Sequence, residues 1–595
     1  MKRWPNKASR LALIAAGIGL VVGIPAIGQD APESLLPPGF DDPVAPSPPP
    51  PPSKPRPSPG DLVPDLELRP PLADNAAENA LEAEGLEGEE APPVDPLAKV
   101  YVPPLGDVGP LSRSDGGLGY GAYGNADGMM LAGLMHRLDA PLPSRWASIL
   151  LRRALLSDVP TPRGVRSADW IAERAWLLVR MGEADSARML VQSADVSQYS
   201  PWLFEVAMQT YLALADPAGL CPLADPATGV SDTTSWILAR AMCAALAGEP
   251  GTATAAIDQA RRSRLRGQRT FDLLLAEKVV GAGIDGRRAV TLEWTGVDHL
   301  TSWRYGLASA TGAEIPAPLL EGANRRIQGW RAQAPFLPDA EKLVAGRHAA
   351  VLGVLSSAAL VDLYGGVLDR TDPSDVSASP ATKLRRAYLG DGAARMAALR
   401  ELWTADAPEE RFAALILTAR AAARIPASAD YAADAPQLIA AMLTAGLDHN
   451  AENWAEIAGG SGDAWALLAL GAPNPGVEIS SGRMNAYIGD ADPAKARLVL
   501  AGLAGLGRLN ARDAAAIAQD LQIDLTRESA WSRLLYAAAD AGQPGTVALL
   551  AAIGMQTPGW RGVPPAHLYH IVAALRRAGL EPEARMIAAE AVARL

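Results

Sequence analysis

The chain has 595 residues, of which 49% are hydrophobic and only 5% aromatic, and its formal net charge is −12. A chain of this length can bury several core-sized units. Phenylalanine occurs only five times, so alanine and leucine must supply most of the packing. Both residues favour helices, and the composition therefore predicts an all-α body. The acidic balance lies mainly outside that body, because residues 30–110 carry −12 and residues beyond 110 carry only −4. A nearly neutral body argues against nucleic acid as a partner.

The N-terminus has the layout of an export signal. Four basic residues among the first ten precede an uncharged stretch from Leu11 to Ile27, and Ala26-Ile27-Gly28 supplies small residues where a signal peptidase cleaves. Residues 1–28 are therefore predicted to be a signal peptide or, alternatively, an uncleaved membrane anchor near the lower length limit for spanning a bilayer. Either outcome places the body in the periplasm, soluble after cleavage or tethered to the inner membrane by residues 11–27.

Residues 29–110 have the composition of a spacer. Residues 30–110 contain 22 of the 50 prolines, and no aromatic residue lies between Phe40 and Tyr101. Such a segment buries too little apolar surface to offset the entropy of ordering, so it is predicted to be disordered, with polyproline II character. From Asp74 to Asp95 it carries eight acids and no base. This tract is interpreted as a solvated, self-repelling stretch or, alternatively, as a docking tail for a basic partner.

Residues 111–595 are predicted to form an α-helical repeat body, with a possible subdivision near 285–340. Helix starts are marked by a capping residue followed by proline, and sustained strand-like alternation is absent. The pattern predicts about 20 to 25 helices joined by short turns. The starts marked in this way are Ser200-Pro201, Asp216-Pro217, Ser379-Pro380 and Asp492-Pro493.

Several helix pairs share one template, centred on Gly182, Gly248, Gly542 and Gly579. Apolar or small residues stand seven and four positions before each glycine and five and eight positions after it. This helix–turn–helix unit resembles that of tetratricopeptide-like repeats over about 20 residues in each place, without the family's Trp and Tyr positions or its regular 34-residue period. The resemblance implies a degenerate α-solenoid; the alternative is a set of ordinary helical hairpins in a compact all-α fold.

The two cysteines of the chain are Cys221 and Cys243. An even count in an exported chain predicts one disulfide between them. The competing interpretation is a pair of buried thiols, because the neighbours of Cys243 are apolar.

A cluster of five arginines is the candidate anion-binding site. Guanidinium groups at this density can hold phosphate or an anionic glycan, although the solvated end of a helix often has the same composition. No metal site and no cofactor are predicted, since His567 and His570 have no third ligand nearby in the sequence. The cluster consists of Arg261, Arg262, Arg264, Arg266 and Arg269.

Two short segments, Arg527-Glu528-Ser529-Ala530-Trp531 and Gly554-Met555-Gln556-Thr557-Pro558, resemble fragments of the soluble lytic transglycosylase family, which cleaves peptidoglycan. The resemblance implies that Glu528 is a general acid, a role that needs a carboxyl group in a glycan cleft. Only 67 residues follow Glu528, and the family's later Tyr-Asn-Ala-Gly motif has no counterpart after Gly554.

The sequence therefore favours a non-catalytic cell-envelope scaffold or adaptor that binds a protein partner through its helical surface, in a context such as cell-wall or polysaccharide assembly. A peptidoglycan-cleaving enzyme that uses Glu528 is one alternative. A glycan-binding module that uses Trp and Arg side chains is another. Contact with a membrane is expected only through the N-terminal segment.

Overall fold

The computed structural model of the protein describes residues 105–231, 233–262, 268–284 and 290–595. The predicted export segment and the predicted spacer up to residue 104 lie outside these ranges. Arg264 and Arg266 of the arginine cluster also lie outside them, as does the side chain of Arg269.

The described part of the chain contains 27 α-helices and no strand, which confirms the all-α fold class. The first ten helices are α1 Gly128–Arg137, α2 Arg145–Leu156, α3 Ser167–Met181, α4 Ala184–Val191, α5 Pro201–Ala213, α6 Cys221–Thr228, α7 Thr234–Leu246, α8 Pro250–Arg262, α9 Gln268–Gly283 and α10 Ser302–Ala310. The next eight are α11 Ala317–Glu321, α12 Arg326–Gln333, α13 Asp339–Leu352, α14 Ser357–Arg370, α15 Pro380–Leu389, α16 Gly392–Trp403, α17 Pro408–Ala422 and α18 Ala435–Thr444. The last nine are α19 Asp448–Glu452, α20 Asp463–Gly471, α21 Ser481–Asp490, α22 Pro493–Leu506, α23 Ala511–Asp520, α24 Ala530–Asp540, α25 Pro544–Gly554, α26 Pro565–Arg577 and α27 Glu581–Arg594.

Three of the four predicted capping positions start α-helices. Ser200, Ser379 and Asp492 each accept a hydrogen bond from a backbone N–H in the first turn of α5, α15 and α22, which satisfies a donor that the helix itself cannot. The fourth position, Asp216, accepts from the backbone N–H of Gly219 at 2.9 Å and precedes a short 3₁₀ turn, Ala218–Leu220, that leads into α6.

The four template glycines each lie in the turn between two helices, as predicted. Gly182, Gly248, Gly542 and Gly579 have φ between 66° and 90° and connect α3 to α4, α7 to α8, α24 to α25 and α26 to α27. This left-handed backbone conformation favours glycine because a Cβ would clash with the carbonyl group. Of the eight residues five and eight positions later, seven are buried and Ala256 is half-buried. The template is therefore a real helical hairpin in all four places.

The structure also shows a further turn position that the glycine pattern does not reveal. Ala215 has φ 54° and lies 33 residues after Gly182 and 33 residues before Gly248. Tryptophan contacts repeat over the same region: the Trp202 Nε1–H donates to Glu173 at 3.0 Å, and the Trp236 Nε1–H donates to Glu205 at 3.1 Å. The region around α3, α5 and α7 is thus more regular than the sequence indicates, which is compatible with a helical-repeat fold.

Helices from the beginning and from the end of the described chain pack against one another. Helix α2 packs against α25 and α27, and α27 also packs against α20, α22 and α26. Backbone contacts reinforce this closure, because the Gly545 N–H donates to the Ala122 carbonyl at 2.7 Å and the Asp139 N–H donates to the Gln556 side chain at 2.7 Å. An open solenoid repeat contacts only its neighbours in sequence. Here the early and late helices share one core, centred on α2 and α27.

The predicted disulfide is present. Cys221 at the start of α6 is bonded to Cys243 near the end of α7, with their Cα atoms 5.3 Å apart. The bridge closes a loop of 22 residues, which in the chain-entropy model stabilises the fold by roughly 3 kcal/mol. The predicted subdivision near 285–340 stays a prediction; within it, α12 returns to the first helices, where the Trp330 Nε1–H donates to the Val179 carbonyl at 3.0 Å.

Candidate functional site

Within the described part of the arginine cluster, Arg261 forms contacts that connect two helices. The Arg261 guanidinium at the end of α8 donates to the buried Glu277 carboxylate on α9, with Nε at 3.0 Å and Nη2 at 2.5 Å. It also lies 3.6 Å from Asp258. Arg261 therefore joins two helices, whereas the neighbouring Arg262 is exposed to solvent.

Glu528 lies in the turn that precedes α24, and it is exposed to solvent. A glycosidic general acid needs a carboxyl group held in a glycan cleft with its pKa raised. The exposed position of Glu528 does not supply that enclosure.

The two histidines near Glu528 each have protein partners. His570 is buried; its Nε2–H donates to the Arg527 carbonyl at 3.2 Å, and its Nδ1 accepts from the Tyr536 hydroxyl at 2.8 Å. The His567 Nδ1–H donates to the Gly554 carbonyl at 2.8 Å. Within the described ranges, no group of three or more His, Cys, Asp or Glu side chains is arranged to hold a metal ion.

His570 should make stability depend on pH. Burial lowers its pKa below the usual histidine value, against the opposing effect of its bond to the Arg527 carbonyl. The folded state disfavours the protonated ring, so the neutral His570 ring contributes to stability above the unfolded-state pKa of about 6.5. This stability is lost as the pH falls below that value and through the lower pKa of the folded state. We expect His570→Gln to show a smaller drop in melting temperature between pH 7.5 and 5.5 than the parent. The exposed His449→Gln is the control, and equal drops in all three proteins would contradict the prediction.

The tryptophans do not form a sugar-stacking surface. Thirteen of the 14 lie in the described residues, and each is buried or half-buried. Trp403, for example, is 9% exposed and its indole N–H donates to the Thr418 hydroxyl at 2.9 Å. Each of these rings is at least partly covered, and most of them lie in helices and pack within the fold.

The strongest candidate site is a cleft of about 670 Å³ between α16, α17, α18, α20, α22 and α27, which we call the C-terminal cleft. Its floor is apolar and consists of Phe412, Leu415, Leu467 and Val592, all of them buried. Clefts of this size that combine an apolar floor with a few convergent polar groups are the usual sites of ligand binding.

Four helices begin at the C-terminal cleft. The first turns of α17, α18, α20 and α22 all contribute lining residues. The macrodipole makes the start of a helix electropositive, so these starts favour anionic groups; at α22 the Asp492 carboxylate already caps the first turn. The first-turn residues that line the cleft are Pro408, Arg411, Pro436, Gln437, Asp463 and Lys495.

The charged side chains of the cleft have the same sign preference. Among the described residues that line it, five side chains are cationic and two, Asp434 and Asp463, are acidic. The cationic side chains are Arg400, Arg411, Lys495, Arg561 and Arg594.

Two of the five cations are held firmly by the acids of the cleft. Arg400 forms a bidentate pair with Asp434, at 2.6 and 2.9 Å, and the Lys495 ammonium lies 2.8 Å from Asp463. These distances are those of charge-assisted hydrogen bonds. Arg400 and Lys495 are therefore already paired in the structure.

The other three cations are less completely paired. Arg561 lies 3.4 Å from Asp492, and Arg594 lies 3.4 Å from Glu590, both longer than a strong charge-assisted bond. Arg411 donates to two backbone carbonyl groups of the preceding loop, at 2.7 and 2.8 Å. The exposed Arg411 and Arg561 are thus positioned to pair with an incoming carboxylate or phosphate, whereas Arg594 is nearly buried.

Arg594 belongs to the cationic side chains of the cleft and also contacts its apolar floor. Its guanidinium lies 4.5 Å from the centre of the Phe412 ring, and only 10% of the side chain is exposed. Burial lowers its pKa, with Glu590 opposing that shift. An anion in the cleft would improve the electrostatic surroundings of this partly desolvated cation.

No pattern in the sequence indicates this cleft. Its lining residues are spread from Arg400 to Leu595 and share no motif or spacing. The one relevant signal is Asp492-Pro493, which correctly marks the start of α22 but does not indicate that three other helices begin beside it.

Comparisons of the chain with family models, with curated proteins and with solved structures find no match. In the part of the chain that the structure describes, the helices are all too short or too polar to cross a membrane.

Proposed function

We propose that this protein is a non-catalytic binding scaffold of the cell envelope that holds an acidic segment of a partner protein in the C-terminal cleft. One observation carries the proposal: four helix starts and five cationic side chains surround an apolar floor. This combination suits a ligand that carries carboxylates and apolar side chains within a few ångströms of one another.

A peptide fits this combination better than a glycan. The floor is nearly buried and offers only a narrow apolar contact to aliphatic side chains, whereas the less completely paired guanidinium groups offer partners for Asp or Glu. The aromatic residues of the cleft, Trp403 and Phe412, are 9% and 2% exposed, so neither ring can stack on a sugar. The envelope location rests on the predicted export segment.

The proposal predicts that cleft arginines control the binding of acidic peptides. A fluorescein-labelled 12-residue peptide of alternating Glu and Leu is the probe, and fluorescence anisotropy measures its Kd. Arg411→Ser combined with Arg561→Ser should weaken binding about tenfold, equivalent to about 1.4 kcal/mol, because two exposed guanidinium partners are lost. Binding should also weaken as NaCl is raised.

The matched control removes two exposed arginines elsewhere, Arg512→Ser and Arg533→Ser on α23 and α24. Equal binding by the cleft variant and this control would overturn the proposal. Binding of polygalacturonate in place of the peptide, with the same dependence on Arg411 and Arg561, would shift the assignment to an anionic glycan. Peptidoglycan clearing in a zymogram that disappears with Glu528→Gln would replace it with the enzymatic alternative.

A further inference from the structure

We propose that the acidic tract of the same chain, residues 74–95, occupies the C-terminal cleft and competes with the partner for it. This inference rests on the proposed function of the cleft and adds a means of regulating access to it. The tract lies outside the residues that the structure describes.

The composition of the tract matches what the cleft selects. The tract has eight acids and no base, and Leu81 and Leu86 lie among the acids. The cleft has an excess of cationic side chains over acidic ones and an apolar floor. The tract therefore resembles the Glu–Leu probe, which also combines carboxylates with leucine side chains.

The tract can reach the cleft. Twenty-one residues separate Leu105, where the described chain begins, from the middle of the tract. Fully extended, they span about 70 Å at ~3.3 Å per residue, while a compact body of about 490 residues is about 60 Å across. Leu105 lies beside the start of α3, and α2 packs against both α3 and α27, so the described chain begins in the same part of the fold as the helices that pack on α27.

Tethering makes even a weak interaction effective. A short tether gives an effective concentration of about 1 mM, so a segment with a Kd of about 0.1 mM would fill the cleft about nine-tenths of the time. An external ligand would then bind about tenfold more weakly than it binds an empty cleft. A partner that outcompetes the tract must offer either higher affinity or a high local concentration.

The experiment compares full-length chains in the anisotropy assay with the Glu–Leu probe. In the test variant all eight acids of residues 74–95 are changed to Asn or Gln. In the matched control the seven acids from Asp30 to Glu67, both included, are changed in the same way. We expect the test variant to bind the probe about tenfold more tightly than the parent and the control to bind like the parent. Adding Arg411→Ser and Arg561→Ser should reduce this gain, because both ligands use the same arginines.

A second measurement detects the contact directly. A benzoylphenylalanine photocrosslinker replaces the exposed cleft residue Gln437 in the full chain, and Gln519 on α23 is the control position. We expect crosslinks from position 437 to residues 74–95 within one chain, at a yield independent of dilution, and none from position 519.

The outcomes separate the two proposals. If the probe binds through Arg411 and Arg561, but neutralising the tract changes nothing and position 437 does not crosslink to it, this inference is wrong and the proposed function stands. If probe binding is insensitive to the cleft arginines, the proposed function is wrong. Crosslinks that join two chains and disappear on dilution would overturn occupancy within one chain.

Discussion

Replacing Arg174 with methionine is expected to lower the free energy of unfolding by about 3 to 5 kcal/mol, the usual effect of breaking a buried charged network. Arg174 on α3 is completely buried, and its guanidinium donates to three backbone carbonyl groups at 2.6 to 2.7 Å. It also lies 5.6 Å from the centre of the Trp170 ring. Burial lowers the pKa of Arg174 to about 10, so the group stays charged at neutral pH.

The three carbonyl groups belong to Val108, Leu155 and Ser157, so Arg174 ties the first described loop to the end of α2 and to α3. Methionine matches much of the side-chain volume but donates no hydrogen bond, which leaves these acceptors without that partner. Arg174→Lys should recover only part of the loss, because one ammonium cannot reproduce the planar array of donors.

Urea unfolding followed by tryptophan fluorescence measures the effect. Arg166→Met is the matched control, since the Arg166 side chain is 75% exposed and pairs with Asp169 within the same turn; such a pair contributes less than about 1 kcal/mol. A midpoint for Arg174→Met that coincides with that of the control would contradict the structural role of the buried guanidinium.

Replacing Glu590 with alanine is the second change with a large expected effect. The Glu590 carboxylate on α27 accepts from the Ser144 hydroxyl at 2.6 Å and from the Arg145 and Trp146 backbone N–H groups at 2.8 and 3.1 Å. A residue 446 positions from Ser144 thus caps the start of α2. Loss of a buried carboxylate with these donors should destabilise the fold by about 3 to 5 kcal/mol. Glu590→Gln should lose less, because the amide oxygen still accepts while the charge opposite the helix dipole is gone.

Hydrogen exchange distinguishes this change from general destabilisation. Glu590→Ala should increase amide exchange in the first turn of α2 and the last turn of α27. The disulfide-linked α6 and α7 should keep the protection of the parent, because they do not pack extensively against α27. Glu581→Gln, at the exposed start of α27, is the control in the same helix. A uniform increase throughout the chain, or no increase in α2, would contradict the proposed junction.

Several features could be predicted from local patterns because short-range physics determines them. Capping residues at Ser200, Ser379 and Asp492 mark helix starts, since a side-chain oxygen next to a free N–H is a local interaction. The template glycines mark turns because few residues other than glycine adopt positive φ without strain. Ala215 was not predicted, because an alanine adopts the same positive φ there and its residue type does not mark a turn.

The disulfide could be predicted by a different route. Two cysteines leave one intramolecular pairing, so the count fixes the partners without geometry, and the predicted export segment favoured a bridge over free thiols. The fold class was equally accessible, because a chain rich in helix formers and without strand-like alternation has few other ways to bury its apolar residues.

The sequence by itself therefore determined that the body is helical, where several helices begin and turn, and which cysteines pair. Only the tertiary structure decided that α2 meets α27, that Glu590 caps a helix more than 400 residues away, and that four helix starts meet at one cleft. These features depend on how apolar faces pack over long sequence separations. Hydrophobic burial is non-directional, so the same pattern of apolar residues is compatible with an open or a closed arrangement. Which arrangement forms depends on how well side chains of distant helices pack together, and local sequence patterns do not contain that information.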